Sequence, residues 1–115
     1  MTKQEYFDLL VTTSATGGFP ALGTNGKCEY RCDNGKKCPI GLLISDDVYD
    51  PRMEGLNFSG LTKAFPGTKD YLCMVSGCCY DDLVMIQNAH DSLAHNGPWE
   101  HEEFVCVVRR VLFYV

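Results

Sequence analysis

Three stretches of the chain carry apolar residues at helical spacing, and the first lies near its beginning. Thr2 and Glu5 have the spacing of a capping box, and Tyr6 and Leu10 follow one helical turn apart. The pattern therefore predicts a helix from about residue 3 to residue 13. Glycines, a proline and an Asn-Gly pair in the next stretch predict a loop that ends it.

The longest helical pattern starts after residue 80. Its apolar stripe consists of Leu83, Ile86, His90 and Leu93. We expect Asp81 or Asp82 to cap this helix and the Asn96-Gly97 pair to end it. The stripe predicts that the helix buries one face against the rest of the domain.

Residues 98–115 carry a mixed signal. Phe104, Val108 and Val111 fall at the spacing of a helix face, whereas the valine and aromatic content is typical of a strand. Glutamates near the start of the segment fit the first turn of a helix, because negative charge is stabilised at that end. We therefore expect a helix.

Between these helical patterns, residues 27–44 carry the signature of a β-hairpin. An Asp-Asn-Gly sequence centred on Asn34 supplies the turn, and alternating residues flank it. With a three-residue loop, Arg31 faces Lys37 across the two strands. A two-residue loop would instead place Cys38 opposite Arg31.

Two short helical turns complete the central region. Ser45 suits the N-cap of one, which Pro51 limits, and another is expected from Ser59 to about Pro66. Together the patterns predict a single α+β domain over residues 1–115. It has an N-terminal helix, a central β-hairpin and two or more C-terminal helices packed on it.

The composition narrows the function classes. The chain has 115 residues and a net charge of −5, which argues against generic binding to nucleic acid or to an anionic membrane. It shows no secretory signal and no apolar run long enough to span a bilayer, so we expect a cytoplasmic protein. In that reducing compartment, its seven cysteines are expected to be free thiols or metal ligands.

Several short motifs follow one another along the chain: Cys-x-Tyr-Arg, Lys-Cys-x-x-Gly, Leu-Ile-x-Asp, Tyr-x-Pro-x-Met-Glu-Gly and a later His-Asp. Their residues are Cys28, Tyr30, Arg31, Lys37, Cys38, Gly41, Leu43, Ile44, Asp46, Tyr49, Pro51, Met53, Glu54, Gly55, His90 and Asp91. The set resembles a family of small, largely uncharacterised proteins encoded by phages and prophages. The chain departs from that pattern at Ser45, where proline is common, and at Ile86, where the helix motif has leucine. The resemblance implies a phage accessory protein in the host cytoplasm and no particular chemistry.

Three cysteines surround the predicted hairpin. Cys28, Cys32 and Cys38 are candidate zinc ligands, with a fourth ligand from Cys73, Cys78 or Cys79. Two cysteines four residues apart on a strand are too distant to share an ion without a bend. We favour the alternative in which these cysteines pack inward as small apolar residues, and zinc is the alternative cofactor.

His90 and Asp91 resemble part of a metal-hydrolase dyad, and they form the alternative catalytic site, with His95 or His101 as further members. The rest of such a motif is absent. Because His90 lies on the apolar stripe, we favour a buried, hydrogen-bonded histidine that packs the helix against the hairpin.

The candidate ligand-binding residues lie in the central region. Arg31 and Arg52 carry guanidinium forks that suit phosphates, and Tyr30 and Tyr49 carry rings that suit nucleobases. Glu54 lies in the same segment and belongs to the candidate set. In the alternative interpretation, Arg31 pairs with Glu29, Asp50 or Glu54.

These observations leave three hypotheses. The favoured one is a non-enzymatic binder that interferes with a host system, such as antiviral defence, by sequestering a small anionic or nucleotide-like ligand or by blocking a host protein. The alternatives are a hydrolase centred on His90 and Asp91, and a zinc-stabilised protein-interaction module. The last residues of the chain, "VVRRVLFYV", carry more apolar surface than one buried face needs, which predicts a homo-oligomer.

Overall fold

The computed structural model describes residues 1–115 and shows an all-α fold without a β-strand. The helices are α1 (Lys3–Ala15), α2 (Phe58–Ala64), α3 (Thr68–Ser76), α4 (Tyr80–His95) and α5 (His101–Phe113). Two 3₁₀ turns, Gly41–Leu43 and Pro51–Met53, lie in the long segment between α1 and α2. The predicted α+β class, with its central hairpin, is therefore wrong.

The predicted hairpin is reduced to isolated bridges. Arg31 pairs with Lys37, in the register that a three-residue loop predicts, and Leu22 pairs with Cys28. The turn chemistry is also as expected, because Gly35 has a φ of 87°, in the left-handed region that favours glycine. No ladder extends from either bridge, so the segment forms two tight turns in place of a sheet.

Competing hydrogen bonds explain why the strands do not extend. The backbone N–H groups of Tyr30 and Arg31 donate to the carboxylate of Glu54, at 2.9 and 3.0 Å. On the other side of the turn, Pro39 lacks a backbone N–H and cannot donate a hydrogen bond. The carbonyl of Cys38 accepts from the N–H of Leu42, which lies in the 3₁₀ turn that follows. A distant side chain thus takes the N–H of Tyr30, which is the donor that would continue the pairing beyond the bridge between Arg31 and Lys37.

The terminal helices confirm their predictions. Thr2 and Glu5 form both hydrogen bonds of the capping box at the start of α1. The carboxyl-terminal segment is the helix α5, which buries Phe104, Val108 and Val111. The helical spacing therefore outweighs the strand-like composition of this segment.

The sequence does not predict α3. Its buried positions are Thr68, Leu72 and Ser76, so only one of the three is strongly apolar. Glycines flank the helix at both ends, Gly67 and Gly77, with positive φ angles. A helix with so weak an apolar stripe depends on its packing against α2 and α4 for stability.

The core lies between the helices and the long central segment. Helix α5 packs against both α4 and α1, and α3 packs against α4. An aromatic cluster fills the middle: the ring centroid of Phe19 lies 5.3 Å from those of His90 and Phe104, and 5.9 Å from that of Trp99. No helix has the length and apolar character needed to cross a membrane.

Candidate functional site

Glu54 joins three of the other predicted ligand-binding residues into one internal network. Its carboxylate accepts from the N–H groups of Tyr30 and Arg31 and from the hydroxyl of Tyr49, the last at 2.7 Å. The hydroxyl of Tyr30 donates to the carbonyl of Leu56 at 2.8 Å. These contacts fasten the chain between the two tight turns to the segment that leads into α2.

The guanidinium of Arg31 is also engaged within the chain. It lies over the ring of Tyr49, 4.4 Å from the centroid, and donates to the carbonyl of Ile44 at 2.8 Å. It forms an ion pair with Asp46 at 2.8 Å. Only the buried Nε lacks a partner. The guanidinium therefore pairs with an acid other than the expected Glu29, Asp50 or Glu54, and Glu54 accepts only from the backbone N–H of Arg31. Ligand binding by Tyr30, Arg31, Tyr49 and Glu54 stays a prediction.

Arg52 stands apart from this network. It pairs with Asp50 at 2.6 Å, and its side chain is 81% exposed. Hydrogen bonds from the guanidinium and the backbone N–H of Arg52 lower the pKa of Asp50 to about 2. Because the Arg52 side chain lies in solvent, the ion pair contributes little to stability.

The three cysteines around the turns have different environments. Cys32 and Cys38 are buried, whereas Cys28 is half-buried. The sulfur of Cys38 accepts from the N–H of Gly41 at 3.3 Å, and burial raises the pKa of this thiol to about 12. Gly41 is required because a Cβ there would lie 1.9 Å from the carbonyl oxygen of Tyr30. The Lys-Cys-x-x-Gly motif is therefore explained by local packing.

His90 connects α4 to the segment after α1. Its Nε2 accepts from the N–H of Ala21 at 3.0 Å, and its Nδ1 lies 2.8 Å from a carboxylate oxygen of Asp91. Because the backbone N–H can only donate, Nδ1 carries the proton of a neutral ring and donates to Asp91. The ring is 0% exposed. Neither nitrogen is free to touch a substrate, so the geometry does not favour the hydrolase alternative.

Gln87 repeats this pattern one turn earlier on α4. Its Oε1 accepts from the N–H of Ile40 at 3.2 Å, and its Nε2 donates to Asp91 at 3.3 Å. The side chains of Gln87 and His90 therefore satisfy buried backbone groups of the central segment and hold Asp91 in place.

Beside this polar stripe lies a cleft of about 230 Å³, which we call the Cys28 cleft. It is lined by Lys27, Cys28, Glu29, Tyr30, Gly55, Leu56, Asn57, Phe58, Gln87, Asn88 and Asp91. Three chain segments meet there: residues 27–30 between the two tight turns, residues 55–58 at the start of α2, and one face of α4. Of the predicted site residues, the cleft brings together Tyr30, Cys28 and Asp91.

Sequence reasoning missed the amide side chains of the cleft, namely Asn57, Gln87 and Asn88. One signal for Asn88 was present, since Asn88, Asp91 and His95 recur at the spacing of one helix face beside the apolar stripe. Asn57 has no such signal, because it reaches the cleft from a separate segment.

The Cys28 thiol lies next to His95 on one side and next to His90 and Asp91 on the other. Its sulfur lies 3.5 Å from Nε2 of His95. Ligating atoms of Cys28, His90 and Asp91 lie within 4.8 Å of one another, and neither Cys32 nor Cys38 belongs to this cluster. Burial, together with the charge of Asp91, raises the pKa of the Cys28 thiol to about 12. A protonated thiol is a poor nucleophile, so the geometry suits binding better than covalent catalysis.

Comparisons with protein-family models, with curated proteins and with solved structures find no match to this chain. The candidate site is therefore interpreted from its own geometry.

Proposed function

We propose that this chain is a non-enzymatic binding protein that holds a small polar ligand in the Cys28 cleft. The observation that carries the proposal is a concave site where amides and carboxylates converge on a volume of about 230 Å³. This volume is close to the lower end of ligand pockets, which favours a ligand the size of a nucleobase or nucleoside over a dinucleotide.

The charges of the cleft refine the ligand class. Lys27 is its one cationic side chain, and Glu29 and Asp91 are carboxylates. A triphosphate would bring several negative charges towards these two acids, whereas a neutral heterocycle would not. Asn88 offers a donor and an acceptor that complement the edge of a nucleobase. Asn57 offers its amide N–H groups alone, because its oxygen caps α2 by accepting from the N–H of Gly60 at 2.7 Å. The cleft therefore favours the base or nucleoside part of a nucleotide-like ligand.

The surrounding contacts give the cleft a fixed shape. Glu54 holds the backbone of Tyr30, and Gln87 and His90 hold the loops that face α4. A site already held in its binding conformation loses less entropy when the ligand binds. This supports a sequestering role, for which affinity without turnover is sufficient.

The cellular part of the proposal rests on the resemblance to phage and prophage proteins. A small phage accessory protein that binds a nucleotide-like ligand, or blocks a host protein, interferes with a host system such as antiviral defence. Ligand identification decides between these two modes, because only sequestration requires the Cys28 cleft.

We expect a nucleobase or nucleoside to bind with a stoichiometry of one per chain in calorimetric titrations with purines, pyrimidines and their nucleosides. Asn88→Ala is expected to weaken binding by about tenfold, because an unpaired polar group on the ligand costs roughly 1–3 kcal/mol. Asn88 is exposed on α4, so this variant keeps the fold.

Gln4→Ala on α1 is the matched control, because it also removes an exposed amide and lies outside the cleft. Equal affinities for the parent protein and Asn88→Ala would contradict the site. Failure of every compound in the panel to bind would contradict the ligand class.

We also propose that a second copy of the chain covers an apolar groove between α4 and α5. The groove is lined by Asp82, Met85, Val107, Arg110, Val111 and Tyr114. Met85 is 53% exposed and Tyr114 is 80% exposed. Asp82 and Arg110 carry opposite charges. In a twofold arrangement, Asp82 of one copy therefore pairs with Arg110 of the other copy.

Light scattering coupled to size exclusion is expected to show a dimer, and Met85→Glu is expected to shift it to a monomer, because the new carboxylate would be buried in the interface. Met74→Glu is the control, since Met74 is 73% exposed on α3 and lies outside the groove. A monomeric parent protein, or a dimer that survives Met85→Glu, would contradict this arrangement.

A further inference from the structure

Cys28 and Asp91 line the Cys28 cleft, and His95 contacts Cys28 from outside it, so three different ligand types lie at one edge of the cleft. The sulfur of Cys28 lies 3.5 Å from Nε2 of His95 and within 4.8 Å of an Asp91 oxygen. Asp91 and His95 are four residues apart on α4, so their side chains leave the same face of the helix. Thiolate, imidazole and carboxylate are the three protein ligands that zinc accepts.

The distance between sulfur and nitrogen fits a shared ion. Zinc bonds of about 2.3 Å to sulfur and about 2.0–2.1 Å to nitrogen, at the tetrahedral angle, separate the two atoms by roughly 3.5 Å. The sulfur of Cys28 and Nε2 of His95 already have this separation. His95 is exposed at the end of α4, so its ring adjusts without disturbing the core.

Asp91 has the supporting contacts that a ligating carboxylate usually has. The protonated Nδ1 of His90 donates to it at 2.8 Å, and the amide of Gln87 donates to the same oxygen at 3.3 Å. Such outer contacts fix the orientation of metal ligands. The Asp91 side chain is 39% exposed, so it remains accessible from the cleft.

His90 itself is excluded as a ligand. Its Nε2 already accepts the N–H of Ala21. Coordination through Nδ1 would then need both nitrogens to act as acceptors, which an imidazole does only as an anion. His90 therefore positions Asp91, and Cys28, Asp91 and His95 are the three candidate ligands.

We propose that Cys28, Asp91 and His95 bind one zinc ion whose fourth position opens into the Cys28 cleft. The site differs from the set of three cysteines that the sequence suggests, because Cys32 and Cys38 lie outside the group that Cys28 forms with His90 and Asp91. His95 also lies outside that group and contacts Cys28 alone, so its exposed ring has to turn towards Asp91 when the ion binds. The zinc site shares Cys28 and Asp91 with the proposed small-molecule site, and its test measures metal binding in the absence of that ligand. On binding, the divalent cation replaces the thiol proton of Cys28, and that proton passes to the buffer.

The test uses the reduced protein after treatment with a chelator. Titration with Co²⁺, as a spectroscopic probe for zinc, is expected to give one equivalent of binding with a thiolate-to-cobalt charge-transfer band. Zinc is expected to displace the cobalt, and calorimetry in buffers of different ionisation enthalpy is expected to show about one proton released per zinc bound.

Variants assign the ligands. Cys28→Ser is expected to abolish the charge-transfer band, and His95→Gln is expected to weaken zinc binding by about tenfold or more. Cys106→Ser is the matched control, because Cys106 is an exposed thiol outside the cluster. Far-ultraviolet circular dichroism checks that each variant is folded.

Three results would overturn the proposal. One is the absence of stoichiometric cobalt or zinc binding to the folded, reduced protein. Another is a charge-transfer band that persists in Cys28→Ser, which would place the ion on another thiol. A normal band with unchanged affinity in His95→Gln would remove His95 from the set and contradict the site as proposed.

Discussion

Glu54→Ala is expected to lower the free energy of unfolding by about 3–5 kcal/mol, because it leaves three donors without their acceptor. The donors are the N–H groups of Tyr30 and Arg31 and the hydroxyl of Tyr49. Each unsatisfied buried donor costs roughly 1–3 kcal/mol, and a domain of this size has about 5–15 kcal/mol in total. Chemical denaturation measures the loss.

Two further variants separate this effect from a general effect of removing charge. Glu54→Gln keeps the shape but turns one acceptor into a donor, so we expect an intermediate loss. Glu103→Ala removes an exposed carboxylate from α5 and is expected to change stability by less than about 0.5 kcal/mol. If Glu54→Ala were as stable as Glu103→Ala, Glu54 would not organise the central segment.

His90→Ala is expected to lower the free energy of unfolding by about 3–4 kcal/mol. The substitution empties a fully buried site between the rings of Phe19 and Trp99, and it leaves the N–H of Ala21 unpaired. His90→Phe keeps a ring in the cavity but removes the acceptor, so it is expected to recover the packing part of the loss alone.

Asn88→Ala serves as the control on the same helix, because Asn88 is exposed. Denaturation of the three variants is combined with an assay against a panel of nucleotide and ester substrates. A His90→Ala protein that kept its stability and lost a hydrolytic activity of the parent protein would support the hydrolase alternative and contradict the positioning role.

Some local signals in the sequence predicted local structure, although the expected cap of α4 at Asp81 or Asp82 is wrong, because the helix begins after Cys79 and both acids lie in its first turn. The capping box of Thr2 and Glu5, and the glycine at position 35, are readable because the groups that interact are close in the chain. The register that pairs Arg31 with Lys37 follows from the same turn. These features need no information about the rest of the fold.

The hairpin failed as a prediction because its outcome depends on a distant residue. Glu54 lies more than twenty positions after Tyr30, and its carboxylate takes the Tyr30 N–H that a paired strand would use. Alternating residues beside an Asn-Gly turn predict a β-hairpin in general. Nothing in the local pattern shows that one acidic side chain replaces the partner strand.

The candidate site was predicted only in part for the same reason. Cys28 was singled out as a zinc ligand with other cysteines, whereas its neighbours in the fold are Asp91 and His95, on a helix more than sixty positions away. Asn57 reaches the cleft from a third segment. Spacing along the chain cannot show contacts that arise when three segments meet.

The most direct test of the binding proposal maps the ligand onto the backbone. Nitrogen-labelled protein is titrated with the nucleobase and nucleoside panel while its amide resonances are followed. The proposal predicts that shifts for the bound compound concentrate in residues 27–30, 55–58 and 87–91, which line the Cys28 cleft. Shifts centred elsewhere, or none with any compound, would contradict it.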